Sequence, residues 1–169
     1  MCRRLWLIGM MGSGKSTVGA AAARQLAVDH HDTDEIIAAR AGMPVLEIFQ
    51  TIGVVAFRDL ERQAIAHAAT LEGVISTGGG AVMDADSRAT MANTGIVVYL
   101  ACEPAILHRR VGAVESRPLL HAGDPLETLQ RLLEEREPWY RATAHHVIDT
   151  TDKRRSDVVG EVIETWNAS

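Results

Sequence analysis

The apolar stretch Leu5-Trp6-Leu7-Ile8 runs directly into Gly9-Met10-Met11-Gly12-Ser13-Gly14-Lys15-Ser16, which has the spacing G-x-x-x-x-G-K-[ST]. An apolar run of that length predicts a buried strand. The glycines predict a loop that curls so that successive N–H groups point at phosphate oxygens. Lys15 would neutralise charge on the β and γ phosphates, and the Ser16 hydroxyl would reach Mg²⁺. Residues 17–27 are rich in Ala, with Gln and Leu, all good helix formers, so strand, loop and helix follow in the order this motif needs. The chain is read as binding a nucleoside triphosphate at the end of its first strand.

Working outward, 169 residues suit a single domain, 1–169, with a core large enough to need no disulfide or structural metal. A hydrophobic share of 47% with 23% charged residues, and no repeats, fits a soluble globular protein rather than a disordered chain. The net charge of −5 argues against nucleic acid as a partner, because phosphate backbones demand basic surface. Any anionic ligand must then be met by a local cluster of arginines. No run reaches the roughly eighteen apolar residues of a membrane span. Cleaving the first residues as a leader would destroy the nucleotide site, so they are not read as one. Cys2 and Cys102 fit no metal or redox spacing, which favours free thiols in a reducing compartment. A cytoplasmic monomer without membrane contact is the expectation.

Hydrophobic periodicity alternates between strand-like and helix-like segments, which predicts an α/β fold: a parallel sheet with helices on both faces. Strands are expected over 4–8, 30–31, 74–76, 96–100 and 146–148. Helices are expected over 15–28, 34–41, a short piece after Pro44, then 56–71, 86–93, 104–111, 125–140 and 156–166. Pro104 and Pro125 suit first-turn positions. The segment 112–124, with Glu115, Arg117, Pro118, His121 and Asp124, shows no sustained period and reads as a mobile lid.

Four further groups of residues carry chemical meaning. Asp32-Thr33-Asp34 follows the second strand and opens a helix. One carboxylate could hold Mg²⁺ through water while the other accepts a hydrogen bond from a substrate hydroxyl, although Thr33 or Asp34 as a simple helix cap is the alternative. Phe57, Leu60 and Ala64 form an apolar stripe, with Arg58 and Glu61 paired at i, i+3. Gly78-Gly79-Gly80, after the third strand, would let a ligand approach backbone N–H groups. In the helix over 125–140, Leu126, Leu129 and Leu133 set a stripe that continues through Arg136 to Tyr140. An inward-facing arginine needs an anion, since a guanidinium cannot shed its charge. The seven histidines show no metal spacing and are given no catalytic role, and Met10, Met11 and Trp139 read as packing.

These motifs together resemble the shikimate kinase family, P-loop kinases related in fold to the nucleoside monophosphate kinases. The resemblance rests on 9–16, Asp32-Thr33-Asp34, Phe57-Arg58 with Glu61, the glycine triplet, Ser116-Arg117-Pro118-Leu119-Leu120, and Arg136 before Tyr140. It implies the P-loop NTPase fold, with a five-stranded parallel sheet, a substrate-binding region over about 33–62 and a lid. It also implies transfer of the ATP γ-phosphate to the 3-hydroxyl of shikimate, a step of aromatic amino-acid biosynthesis. ATP would lie on Gly12, Ser13, Gly14, Lys15, Ser16 and Thr17, with Arg110 and the Lys153-Arg154 stretch beside adenine. Shikimate would be held by Asp34, Arg58, Glu61, Gly78, Gly79, Gly80 and Arg136, the two arginines clamping its carboxylate. Lys15, Asp34 and Arg117 would be catalytic. Ser16 would bind Mg²⁺ directly and Asp32 through water.

The chain departs from the family pattern in three places. Val54 stands where a glutamate usually precedes Phe-Arg, the loop after the fifth strand reads Thr151-Asp152-Lys153-Arg154-Arg155, and the stretch between Glu61 and the glycine triplet is one residue short. Two other readings fit the phosphate loop: another small-metabolite kinase such as gluconate kinase, or a nucleotide-binding regulator without turnover.

Overall fold

The computed structural model describes residues 3–111 and 124–168. Five strands, β1 (Arg4–Ile8), β2 (His30–Asp32), β3 (Gly73–Ser76), β4 (Ile96–Ala101) and β5 (His146–Asp149), form one sheet in the order β2-β3-β1-β4-β5. Every pairing is parallel. A parallel sheet needs a crossover between successive strands, and the helices supply it: α1 (Lys15–Leu26), α2 (Thr33–Ala41), α3 (Val45–Ala68), α4 (Ala85–Thr94), α5 (Pro104–Val111), α6 (Pro125–Thr143) and α7 (Arg155–Asn167). This is the P-loop NTPase arrangement. All five strands point their carboxyl ends at the same edge, where ligands bind in such sheets.

Alternation along the strands divides the core in two. Trp6, Ile8, Ile75, Val97 and Tyr99 face α3 to α6, packing with Ile65, Met91, Leu107, Leu129 and Tyr140. Leu5, Leu7, Val74, Val98 and Ile148 face α1 and α7, packing with Val18, Ala22, Val159 and Trp166. β1 is buried throughout. A strand covered on both faces must be apolar throughout, which is why its sequence shows no alternation. A third, smaller cluster of Ile37, Ile48, Phe57 and Ala64 joins α2 to α3 beside the sheet's edge. It includes Phe57 and Ala64 of the expected stripe, with Leu60 packed against it.

The expected strands and helices are present with shifted ends. The short helix after Pro44 and the helix over 56–71 are both present, as two helical pieces of α3 separated by a kink at Gly53, where φ is 76° and ψ 175°. Only glycine adopts that backbone readily, so helix resumes on both sides of one non-helical residue. Asp124, placed in the lid by sequence, caps α6: its side chain accepts from Leu126 N and Glu127 N. A 3₁₀ turn over Ala81–Met83, which the periodicity does not announce, follows the glycine triplet. Residues 112–123, with the lid and Arg117, lie outside the described residues. Among the described residues no single helix is long and apolar enough to cross a membrane.

Candidate active site

The carboxyl edge of the sheet holds a cleft of about 580 Å³ whose floor is the phosphate loop. Gly12 and Gly14 have φ of 80° and 95°, the left-handed conformations that let the chain curl into α1. Gly14 is the N-cap of α1 and has no side chain to cap with, so the first N–H groups of that helix stay available to an anion. Ser13 N donates to Met10 O at 3.1 Å. Lys15 is 8% exposed, and its Nζ donates to the same carbonyl at 2.8 Å, folding the ammonium across the loop. Ser16 and Thr17 open onto the cleft.

The two acidic residues after β2 have distinct places. Asp32, not Thr33 or Asp34, is the N-cap of α2: its Oδ1 accepts from Asp34 N at 2.9 Å. Its other oxygen, Oδ2, accepts from Ser16 Oγ at 2.5 Å. The cap therefore fixes one oxygen and leaves the second against the hydroxyl of the phosphate loop. That pairing fits Mg²⁺, which takes one or two protein oxygens and completes its octahedron with phosphates and water. Asp34, the second residue of α2, lines the cleft.

The glycine triplet is where the remaining candidates converge. Gly78 N donates to Thr33 Oγ1 at 3.0 Å, tying the triplet to the start of α2. A Cβ on Gly78 would stand 2.8 Å from Glu61 Oε1 and 2.9 Å from Asp34 Oδ1. One on Gly79 would be 3.5 Å from Arg136 Nη1, and one on Gly80 would overlap the Arg58 guanidinium. Close neighbours therefore keep Gly78 and Gly80 small, whereas a Cβ on Gly79 would make contacts of ordinary length. Gly79 faces the cleft.

Arg58 donates to Glu61 at 2.5 Å, and Glu61 is 2% exposed. The pair is thus part of the buried wall and not the solvated bridge that i, i+3 spacing alone would suggest. Burial pushes the Glu61 carboxyl above the usual range, and the neighbouring Arg58 and, more weakly, Arg136 pull it back. Arg136 is 4% exposed, and its Nε is buried with no hydrogen-bond partner among the described residues. A buried guanidinium N–H left open beside the cleft is costly unless a ligand fills it.

At the other end, Arg110 donates to Thr150 Oγ1 at 3.1 Å and Thr150 O at 2.8 Å, which holds its guanidinium plane over the cleft. Lys153 also lines the cleft and pairs with Glu161. In the basic stretch after β5, Arg155 lines the cleft, whereas Arg154, the N-cap residue of α7, pairs with Asp157 and has a side chain 87% exposed. Thr77 and Thr150, immediately after β3 and β5, also line it. Sequence reading passed over both, yet the first residue beyond a parallel strand is the signal that finds them. Met11, read as packing, packs on the core and borders the cleft as well.

Known proteins resemble this chain over nearly its whole length. The shikimate kinase family model matches residues 11–167. The shikimate kinase of Caldanaerobacter subterraneus is 39% identical over 165 residues, covering 97% of this chain and 96% of that protein. That of Dechloromonas aromatica is 40% identical over 167 residues, covering 98% and 91%. Among solved structures, shikimate kinase from Acinetobacter baumannii in complex with shikimate superposes with a TM-score of 0.94 at 32% identity, over 99% of this chain and 94% of that one. A gluconokinase from Sinorhizobium meliloti, 17% identical with a TM-score of 0.57 over 99% of this chain and 93% of that one, shares the fold. The chain belongs to the shikimate kinase family.

Proposed function

We propose that the chain transfers the γ-phosphate of ATP to the 3-hydroxyl of shikimate, with Mg²⁺, as a cytoplasmic monomer. One observation carries the reading of the acceptor: Asp34, Arg58 and Arg136 converge on the glycine triplet beside the phosphate loop, with Arg136 Nε lacking a protein partner among the described residues. Two guanidinium groups suit a carboxylate, a nearby carboxylate suits a ring hydroxyl, and the phosphate loop places ATP within reach of both.

The roles follow from position. Arg58 and Arg136 hold the shikimate carboxylate by charge-assisted hydrogen bonds, Glu61 keeps Arg58 in place, and Asp34 with Gly78, Gly79 and Gly80 fixes the ring. Asp34 orients the attacking hydroxyl and takes its proton as the bond to phosphorus forms. Lys15 and Arg117, the latter outside the described residues, stabilise charge on the transferring phosphoryl group. Gly12, Ser13, Gly14, Ser16 and Thr17 receive the phosphates, while Arg110, Lys153 and Arg155 border the base, with Arg154 turned away. Ser16 would hold Mg²⁺ directly and Asp32 through water, and the ion would neutralise phosphate charge.

Coupled ADP release with ATP, Mg²⁺ and shikimate, gluconate or quinate tests the reading. Shikimate should exceed the other acceptors in kcat/KM by at least about a hundredfold: all three carry a carboxylate for the arginines, but gluconate has no ring and quinate a puckered one with an added hydroxyl, so both misplace hydroxyls against Asp34 and the glycine triplet, and each hydrogen bond to a charged group so lost is worth ~1.5–3 kcal/mol. Comparable turnover of gluconate would return the chain to the general small-metabolite kinases, and no turnover with any acceptor would favour a nucleotide-binding regulator.

A further inference from the structure

The buried phenol of Tyr140 has no part in the mechanism above, although it touches two of its members. Tyr140 is fully buried and stacks on Tyr99, with ring centroids 4.8 Å apart and planes 16° from parallel. Its hydroxyl donates to Gly79 O at 2.5 Å. The Arg136 guanidinium, one turn earlier on α6, is the charge that acts most strongly on the phenol, and its Nη1 lies 3.5 Å from where a Cβ on Gly79 would stand. The phenol proton goes to the glycine loop, which leaves the partial negative charge of its oxygen to the neighbouring guanidinium. Burial holds the phenol far above its ordinary range, so the donor is always protonated at working pH.

A peptide plane is rigid, with C=O and N–H on opposite sides. Anchoring Gly79 O on Tyr140 therefore turns the Gly80 N–H the other way. Gly78 N and Ala81 N have acceptors in Thr33 Oγ1 and Gly78 O, so the loop is held at both ends, and Tyr140 fixes its middle. The stacked Tyr99 ring fixes the phenol in turn.

We infer that Tyr140 is a positioning residue that locks the Gly79–Gly80 peptide and the Arg136 guanidinium into one geometry, so that the glycine loop and the carboxylate clamp meet shikimate preorganised. This rests on the shikimate reading of the site. Preorganisation removes an ordering cost from binding, so the effect falls on the acceptor and leaves the nucleotide side alone.

The test is Tyr140→Phe, which keeps the stacked ring and removes only the hydroxyl. By titration calorimetry with shikimate and, separately, a non-hydrolysable ATP analogue, the shikimate Kd should rise about tenfold while the ATP-analogue Kd stays within about twofold. Arg136→Ala should weaken shikimate by itself, and the double variant should lose less than the product of the two single losses, because the hydroxyl acts partly through Arg136. In the unaltered protein, the Tyr140 hydroxyl proton should be slow to exchange by proton NMR and should shift on adding shikimate but not the ATP analogue. An unchanged shikimate Kd for Tyr140→Phe, equal losses for both ligands, or a freely exchanging hydroxyl in the unaltered protein would overturn the inference while an affected Arg136→Ala left the clamp standing. If Arg136→Ala leaves shikimate binding unchanged, the clamp reading fails and this inference fails with it.

Discussion

Gly80→Ala should act on shikimate through Arg58, at a distance of one methyl group. Gly80 has φ of −94° and ψ of −4°, which alanine adopts without strain. What the new Cβ meets is the end of the Arg58 side chain, its guanidinium carbon and both terminal nitrogens. A flexible side chain yields before the backbone does, so the substitution displaces the guanidinium from its bond to Glu61 at 2.5 Å. Losing one charged hydrogen bond to the acceptor costs ~1.5–3 kcal/mol, which is about a ten- to hundredfold rise in shikimate KM. Stability should also fall. Severing a fully buried pair costs about 3–5 kcal/mol, but the Arg58 side chain is 26% exposed and Glu61 remains near Arg136 and can take up a proton, so about 1–2 kcal/mol is expected. For a chain of this size that lowers Tm by roughly 2–8 °C. Coupled ADP release gives both KM values, and thermal unfolding gives Tm. The ATP KM should stay within about twofold. A shikimate KM unchanged within twofold would refute the reasoning, as would a further full-sized loss when Gly80→Ala is added to Arg58→Ala, where no guanidinium remains to displace.

Two other predictions concern the phosphate loop and its support. Lys15→Ala should lower kcat by about a hundredfold to a thousandfold or more with only a modest fall in Tm, because the ammonium supplies charge at the phosphates and the fold loses with it the hydrogen bond to Met10 O; a folded variant with near-normal kcat would contradict its role. His30, half buried with Nε2 3.0 Å from Ser76 Oγ, has its pKa lowered from 6.5, chiefly by burial and against the pull of Asp32 and Glu35. The unfolded chain then binds more protons just below pH 6.5, so stability is lost as pH falls from 6.5 toward the lowered value. His30→Gln, which keeps an N–H for Ser76 and does not titrate, should flatten the slope of Tm against pH in that window; an identical slope would show that other groups set it.

Much of this was legible in the sequence because the chemistry there depends on short spacings. The run from Gly9 to Ser16 needs only its own order to make a loop, and β1 before it is apolar because both its faces are covered. Arg136 could be placed inward from the leucine stripe, and it is 4% exposed. What was hidden depends on distant parts of the chain. The glycine triplet looked open for a ligand, whereas Gly80 is also small because Arg58, some twenty residues earlier, lies against it. The cap of α2 read as Thr33 or Asp34, since all three residues have oxygen side chains, and only the fold reveals that Asp32 serves both the helix and Ser16. The break between the two pieces of α3 could be read from periodicity, but not its backbone angles at Gly53. Which of the three basic residues Lys153, Arg154 and Arg155 lines the cleft turns on where α7 begins, a boundary that no local pattern marks.

The central claim is that the γ-phosphate goes to one hydroxyl of one acceptor, and the position of phosphorus in the product tests it most directly. Proton–phosphorus correlation NMR on a reaction of the purified protein with ATP, Mg²⁺ and shikimate should show a single new phosphate monoester coupled to the proton on carbon 3. It should appear in step with ADP, and at least about a hundredfold more slowly for Lys15→Ala. Phosphorus coupled at another ring carbon, or ADP accompanied only by free phosphate, would contradict the account.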